Sequence, residues 1–336
     1  MPIAGSNGPI DEGSPCCEVP FRGDSWQRCA VIDVGTNSVK LLVADVSHGE
    51  VIPLLEKSEQ TRLGRGFYAE HRLATQAIEE TARVVADYAR SARSWAVRRT
   101  RVVATSAARD AVNQSELLEA IRRTSELSAE VISGEQEAEW AFQGIASDPR
   151  FAGRSLLLLE VGGGSTQFVY GRQNRLLYRH SFRLGTVRFL ESHPPHDPPT
   201  TEDWELLRRV LDPIMEHRIM PQILPILRKD ILEEVVLVGT GGTCSLLASI
   251  SEGLGAFDRQ RIESVVFSHK KLLGLRKRLW SQSLAERKNT PGLPSNKADV
   301  ILTGSAIYER AMAMFHLEPL HISTRGFRFG ALADFS

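Results

Sequence analysis

Short apolar runs alternate with amphipathic stretches along most of the chain, and the junctions between them recur in form. Residues 28–56 read as three strands in a meander, built on Cys29-Ala-Val-Ile32 and Val39-Lys-Leu-Leu-Val-Ala44. A polar loop over 57–71 precedes apolar positions spaced for a long helix from about 72 to 93. A strand at 101–104 runs into Thr105-Ser-Ala-Ala-Arg-Asp110, where Ser106 could cap a helix carrying Arg109. A helix near 115–126, a strand at 129–133 and a helix at 134–147 follow. The pattern then resumes with a strand at 154–160, hairpin strands through 167–185 and a rigid proline loop at 194–199. A helix at 201–217, a strand at 234–238 and helices near 244–250, 269–281 and 297–317 come next. A strand at 319–323 and a turn at Arg325-Gly-Phe-Arg-Phe-Gly330 end the series.

Three strands, then helix, strand, helix, strand, helix is the order of a ribonuclease-H-like α/β unit, and both halves approximate it. The expectation is two duplicated ribonuclease-H-like domains, at 26–150 and 151–336, with a cleft between them. Residues 1–25 are rich in Gly, Pro and Ser without apolar periodicity, and read as a disordered leader.

Glycine turns mark the chemistry. Asp33-Val-Gly-Thr-Asn-Ser38 and Glu160-Val-Gly-Gly-Gly-Ser-Thr166 each follow a short apolar strand that an acidic residue closes. Glycine tolerates positive φ, which can aim successive N–H groups at one point and form an anion nest. Three consecutive glycines forfeit roughly 0.5–1 kcal/mol each against alanine inside an element, so a plain hairpin is a poor account of them. Val235-Val-Leu-Val238 leads into a third such turn, Gly239-Thr-Gly-Gly-Thr243. Phosphates clamped between two halves fit this repetition.

Composition narrows the alternatives. The 336 residues are 42% apolar and 24% charged, within the range of a globular protein large enough for two cores. Lys+Arg and Asp+Glu both number 41, so any polyanion site must come from local charge and a general nucleic-acid binder is not expected. No apolar stretch approaches the ~18 residues of a membrane span, and no secretory signal is visible, so a cytoplasmic protein is expected. Cys16, Cys17, Cys29 and Cys244 suit neither a disulfide framework nor a zinc site; Cys29 and Cys244 read as small apolar fillers. Between Val161 and Leu190 there is no Asp or Glu, whereas Arg172, Arg175, Arg179, Arg183 and Arg188 are present. That basic segment suggests a track for a long polyanion. Its alternative is a solvated strand face.

Five blocks, in order, carry a resemblance from about residue 29 to 331. They are Ile32–Ser38, Val103–Asn113, Ile132–Ala138, Val161–Thr166 and Val238–Thr243. Together they resemble the exopolyphosphatase / guanosine pentaphosphate phosphohydrolase family, within the actin, Hsp70 and sugar-kinase superfamily. The length resembles its short, two-domain members. The resemblance implies hydrolysis of terminal phosphoanhydride bonds with Mg²⁺, or alternatively Mn²⁺. Glu137 matches the family's catalytic glutamate, which would deprotonate a water for in-line attack. Arg109 matches an arginine facing the phosphate. Gly35, Thr36, Asn37 and Ser38, with Gly162, Gly163, Gly164, Ser165 and Thr166, would cradle phosphates from opposite walls, joined by Gly241, Gly242 and Thr243.

Asp33, Glu160 and Gln167 would hold the metal. Here the chain departs from the family, which usually has aspartate at the position of Glu160 and glutamate at that of Gln167. A longer carboxylate and a neutral amide matter to octahedral Mg²⁺. The C-terminal Gly-Leu-Arg-Glu-Gly pattern is likewise altered, to Gly326-Phe-Arg-Phe-Gly330. The leading expectation is an exopolyphosphatase releasing orthophosphate from inorganic polyphosphate. A guanosine pentaphosphate 5′-phosphohydrolase and a non-catalytic polyphosphate or nucleotide sensor are the alternatives. A homodimer fits such families, although nothing in the sequence reads the oligomeric state.

Overall fold

The computed structural model describes residue 23, residues 25–227 and residues 235–335. The expected leader and Cys16 and Cys17 lie outside the described residues, except for the leader's end. The first half contains β1 (Gln27–Val34), β2 (Val39–Ser47), β3 (Glu50–Glu59), α1 (Phe67–Glu70) and α2 (Thr75–Ser94). It continues with β4 (Arg99–Ala104), α3 (Ser106–Asp110), α4 (Gln114–Ser125), β5 (Ala129–Val131) and α5 (Gly134–Ala146). Its five strands form one sheet in the order β3-β2-β1-β4-β5, antiparallel across the meander and parallel from β1 to β5.

The second half begins with β6 (Ser155–Val161), β7 (Thr166–Arg172), β8 (Arg175–Phe182), α6 (Thr186–Ser192) and α7 (Thr201–Ile214). A π-helical turn (Met215–Ile219) joins α7 to α8 (Met220–Leu227). Then come β9 (Val235–Thr240), α9 (Gly241–Glu252), α10 (Arg259–Ser264), β10 (Val266–Phe267), α11 (His269–Trp280) and α12 (Leu284–Lys288). A 3₁₀ turn (Ser295–Lys297) precedes α13 (Ile301–Phe315), β11 (Leu320–Ile322) and α14 (Phe327–Ala333). The second sheet runs β10-β11-β9-β6-β7-β8, so β6 and β9 repeat the parallel pairing of β1 and β4.

Strand sequence follows strand position. Central β6 is buried throughout and reads as a continuous apolar run, as a strand covered on both faces should. Edge strand β8 alternates exposed and half-buried residues over most of its length. The helix expected at 201–217 extends through the π-helical turn to Leu227. Its reason is visible in Leu207, Leu211, Met215, Ile219 and Ile223, all buried at four-residue spacing.

Two helices tie the sheets together. One core cluster joins Val31 and Leu42 of the first sheet to Leu158, Val169 and Val238 of the second, through Phe142 of α5 and Leu332 of α14. The remaining faces are covered separately, the first by α2 and α4 and the second mainly by α7, α9, α11 and α13. The stretch expected as a turn at 325–330 is therefore mostly helical. A Cβ at Gly330 would overlap the Trp140 carbonyl, so glycine lets α14 approach α5 closely. Cys29 and Cys244 are buried free thiols, and the Cys244 sulfur packs at Gly239.

Candidate active site

Both glycine hairpins are built on the same backbone bond. Gly35 N–H donates to the Ser38 carbonyl at 3.1 Å, and Gly162 N–H donates to the Ser165 carbonyl at 2.9 Å. In register, Asp33 lies opposite Lys40 and Glu160 opposite Gln167. The strands thus deliver one acidic side chain to the mouth of each turn. Loop residues brace the first turn, because Arg62 N–H donates to the Asn37 carbonyl and Gln60 Nε2 donates to Asn37 Oδ1, both at 3.0 Å. The start of α6 braces the second, with Val187 N–H donating to the Gly163 carbonyl at 2.8 Å.

The turns meet across the cleft. A Cβ on Gly164 would stand 2.5 Å from Ser106 Oγ and 2.9 Å from Thr36 Oγ1. Close approach is the requirement there, and it corrects the expectation of positive φ: neither Gly35 nor Gly162, Gly163 or Gly164 has one. Among the three turns only Gly241 does, at 82°, where it opens α9. The cleft has a volume of about 750 Å³ and is lined by all three turns, with Asp33, Glu137, Glu160 and Gln167.

Glu137 enters from the first turn of α5, whose N-cap Ser133 accepts from Gln136 N–H at 3.0 Å. Burial pushes its carboxyl up to about 8, opposed by Arg109 and reinforced by Glu160 and Asp33. Arg109 donates to the Ile132 carbonyl at 2.7 Å and lies 3.5 Å from Glu137 Oε2. It orients the glutamate and is not among the residues lining the cleft. Its helix begins with Thr105 at the N-cap and Ser106 one residue inside, and the Thr105 side chain makes no capping bond. The expected capping role of Ser106 is not observed; that serine packs against the second turn.

Asp33 Oδ1 and Glu160 Oε2 are buried without a hydrogen-bond partner. Burial raises both carboxyls, Glu160 to about 7, against the opposing charges of Lys40 and Arg328. Two orphaned carboxylate oxygens are a fitting environment for a hard cation, which would supply the missing partner. Gln167 Nε2 donates to Ser165 Oγ and Ser181 Oγ at 3.0 and 3.2 Å, leaving its carbonyl oxygen available. Among the described residues no three Asp, Glu, His or Cys side chains form a metal cluster. The set fits Mg²⁺ in its usual mode, with one or two carboxylates, retained waters and substrate phosphate. Gly241 and Gly326 both lie against Glu160, giving its longer side chain room.

Some expectations need correction. Thr166 is fully buried with its hydroxyl donated to the Leu184 carbonyl, so it fastens the hairpin and is not among the residues lining the cleft. Thr243 lines the cleft, but its hydroxyl donates to the Val161 carbonyl at 3.0 Å. Three arginines of the basic segment have acidic partners. Arg179 pairs with Glu139, and Arg183 and Arg188 pair with Asp110. None of the segment's five arginines lines the cleft. The cations that do are Lys40, Lys57, Lys297 and Arg328. Lys40 was legible in principle, as the residue opposite Asp33 in a tight hairpin; Lys297 and Arg328 carry no local signal.

The Ppx/GppA phosphatase family model matches residues 42–335. Exopolyphosphatase 2 of Mycobacterium tuberculosis is 32% identical over 293 residues, covering 84% of this chain and 89% of that protein. A guanosine-5'-triphosphate,3'-diphosphate pyrophosphatase of Vibrio atlanticus is 28% identical, covering 91% of this chain and 57% of that protein. The crystal structure of the Aquifex aeolicus Ppx/GppA family member is similar with a TM-score of 0.74 at 28% identity, covering 92% of this chain and 97% of that one. A Cytophaga hutchinsonii exopolyphosphatase structure reaches a TM-score of 0.82 at 24% identity, covering 92% and 97% of the two chains, and supports the fold.

Proposed function

The chain belongs to the Ppx/GppA phosphatase family, and from that premise we propose that it releases orthophosphate from the end of inorganic polyphosphate. The observation that carries this reading is one cleft holding two opposed phosphate turns, a buried glutamate and two orphaned carboxylates. In its ionised form Glu137 takes a proton from a water as that water's oxygen bonds to the terminal phosphorus. The bridging P–O bond breaks, its electrons stay on the shortened chain, and orthophosphate leaves. General-base help of this kind is worth roughly 10²–10⁴ in rate. Arg109 keeps Glu137 in place and opposes its rise in pKa. Hydroxyls and backbone N–H groups of the turns orient the phosphates.

Asp33 and Glu160, with the Gln167 carbonyl oxygen, would hold Mg²⁺ or Mn²⁺. When bound there, the ion supplies positive charge against the phosphates and the three buried carboxyls.

One observation favours the second reading, a guanosine pentaphosphate 5′-phosphohydrolase. Beyond the turns, the cleft continues between Leu246, Leu254, Phe257, Ile262 and Leu293, an apolar lobe that a linear phosphate chain would not fill. Among the described residues no helix is long and apolar enough to cross a membrane. A cytoplasmic location and a homodimeric assembly belong to this proposal, and sedimentation of the pure protein reads the latter.

The deciding experiment measures phosphate release from long-chain polyphosphate and from guanosine pentaphosphate, with and without Mg²⁺. Glu137→Gln should reduce release at least 100-fold while leaving substrate affinity within about threefold. Turnover within threefold of wild type would remove Glu137 from the mechanism. Selective hydrolysis of the nucleotide would install the second reading.

A further inference from the structure

Three lysines line the cleft, and two of them, Lys40 and Lys297, are half-buried whereas Lys57 is exposed. Neither Lys40 nor Lys297 forms an ion pair among the described residues, although both line the cavity. Lys297 ends the 3₁₀ turn before α13, and its amine donates to Ser38 Oγ of the first glycine turn, in the other half of the molecule. The charged groups acting on that amine are Lys40 from β2, Arg62 from the loop after β3, and Asp299 two residues on. Asp299 is itself occupied by Arg62 at 2.7 Å. Arg62 also donates to the Asn296 carbonyl at 3.2 Å, fixing the turn that presents Lys297.

Geometry orders the cleft. Lys40 lies opposite Asp33 across the first hairpin, with its amine against Gly242 of the third turn, and the Lys297 amine stands on Ser38 at the tip of the first turn. The reacting end of a phosphate chain belongs at Glu137. The remainder then runs past Lys40 towards Lys297, away from the carboxylates. Unpaired cations sheltered from water are unfavourable until an anion joins them, and a phosphate chain is such an anion.

We propose that Lys297 is a positioning residue that selects chain length, by binding phosphates behind the reacting one and thereby spanning both halves of the molecule. This rests on the hydrolase reading for the direction of the chain, and it assigns the site to substrates with at least three linked phosphates. Burial, Lys40 and Arg62 hold the free amine down to about 7, so an anion arriving above that pH recharges it.

The test is calorimetric binding of tripolyphosphate and of orthophosphate to the full chain carrying Glu137→Gln, so that turnover is suppressed. Adding Lys297→Met should weaken tripolyphosphate at least tenfold and orthophosphate less than twofold. Lys297→Arg should recover affinity to within threefold. At pH 8, titrations in two buffers of different ionisation enthalpy should show proton uptake on tripolyphosphate binding, and Lys297→Met should reduce it. Unchanged tripolyphosphate affinity, or equal loss for both ligands, overturns the proposal. If Lys297→Met does not fold, Lys297→Gln substitutes, with the same outcomes required. Wild type that binds tripolyphosphate but releases no phosphate from any substrate defeats the hydrolase reading and leaves the binding comparison decisive for Lys297.

Discussion

In the first hairpin Gly35 donates to the Ser38 carbonyl and Asp33 faces Lys40; in the second Gly162 donates to the Ser165 carbonyl and Glu160 faces Gln167. One backbone therefore presents an acid beside a cation, and its counterpart presents a longer acid beside a neutral amide. The first turn carries Thr36, Asn37 and Ser38, whereas the second sets two bare glycines, Gly163 and Gly164, against Thr36 and Asn37. The geometry of the turn is the same in both halves. Function divided between what each turn carries and what it leaves bare.

Adding a side chain to the bare turn is the most disruptive way to probe this difference. Gly164→Val would drive a branched side chain into Ser106 and Thr36, and should lower kcat/KM at least 100-fold while leaving the melting transition cooperative. Gly35→Ala meets chiefly the Ser38 carbonyl at 3.0 Å and should lower it about tenfold or less. Equal losses would mean that the turns are interchangeable.

The two acids sharpen the comparison further. Gly241 and Gly326 leave room for the longer Glu160 side chain, so Glu160→Asp should withdraw its carboxylate and reduce phosphate release about tenfold, with a higher Mg²⁺ requirement. Adding Gln167→Glu should not restore the rate. A faster double variant would show that Glu160 and Gln167 weaken a site better served by the shorter acid.

Titration adds a third measurement. Because burial raises Glu137, its base form grows as pH rises towards about 8, and kcat/KM should increase along that limb. In Glu137→Gln the residual rate should lose this limb. A wild-type profile flat from pH 6 to about 8 would show another group acting as base.

The smallest expected effect concerns stability. In the free protein Glu137 and Glu160 keep protons that an unfolded chain releases near 4.5, so their contribution to stability falls as pH rises from there to about 7–8. Glu160→Gln removes one buried ionisation and should stabilise the metal-free protein at pH 8 by ~1 kcal/mol or more, seen as a higher Tm. A lower Tm would mean that the carboxylate is satisfied in solution by a partner other than substrate and metal.

Much of this molecule was legible before its tertiary structure. Apolar runs ending in a glycine turn, the first two closed by an acid, located β1, β6 and β9. Glu137 and the glycine turns were found because motifs are local in sequence. Lys297 could not be, since its meaning is a contact with Ser38 across 259 positions. The arginines of 172–188 misled for the converse reason: Glu139 and Asp110, which neutralise three of them, lie outside that segment. Thr166 looked like a ligand until packing gave its hydroxyl to Leu184.

Hydrophobic period and turn chemistry are properties of neighbouring residues, so the sequence by itself determined the strands, the duplicated hairpins and the acids that close them. Charge and hydrogen bonding are settled by whatever partners packing supplies. Tertiary structure alone decided that α5 and α14 cross between the sheets, that the two turns meet at Gly164, and that Lys40 and Lys297 stand half-buried in the cleft without an ion pair among the described residues. Each of those facts depends on atoms brought together from distant parts of the chain, and no local pattern encodes such a meeting.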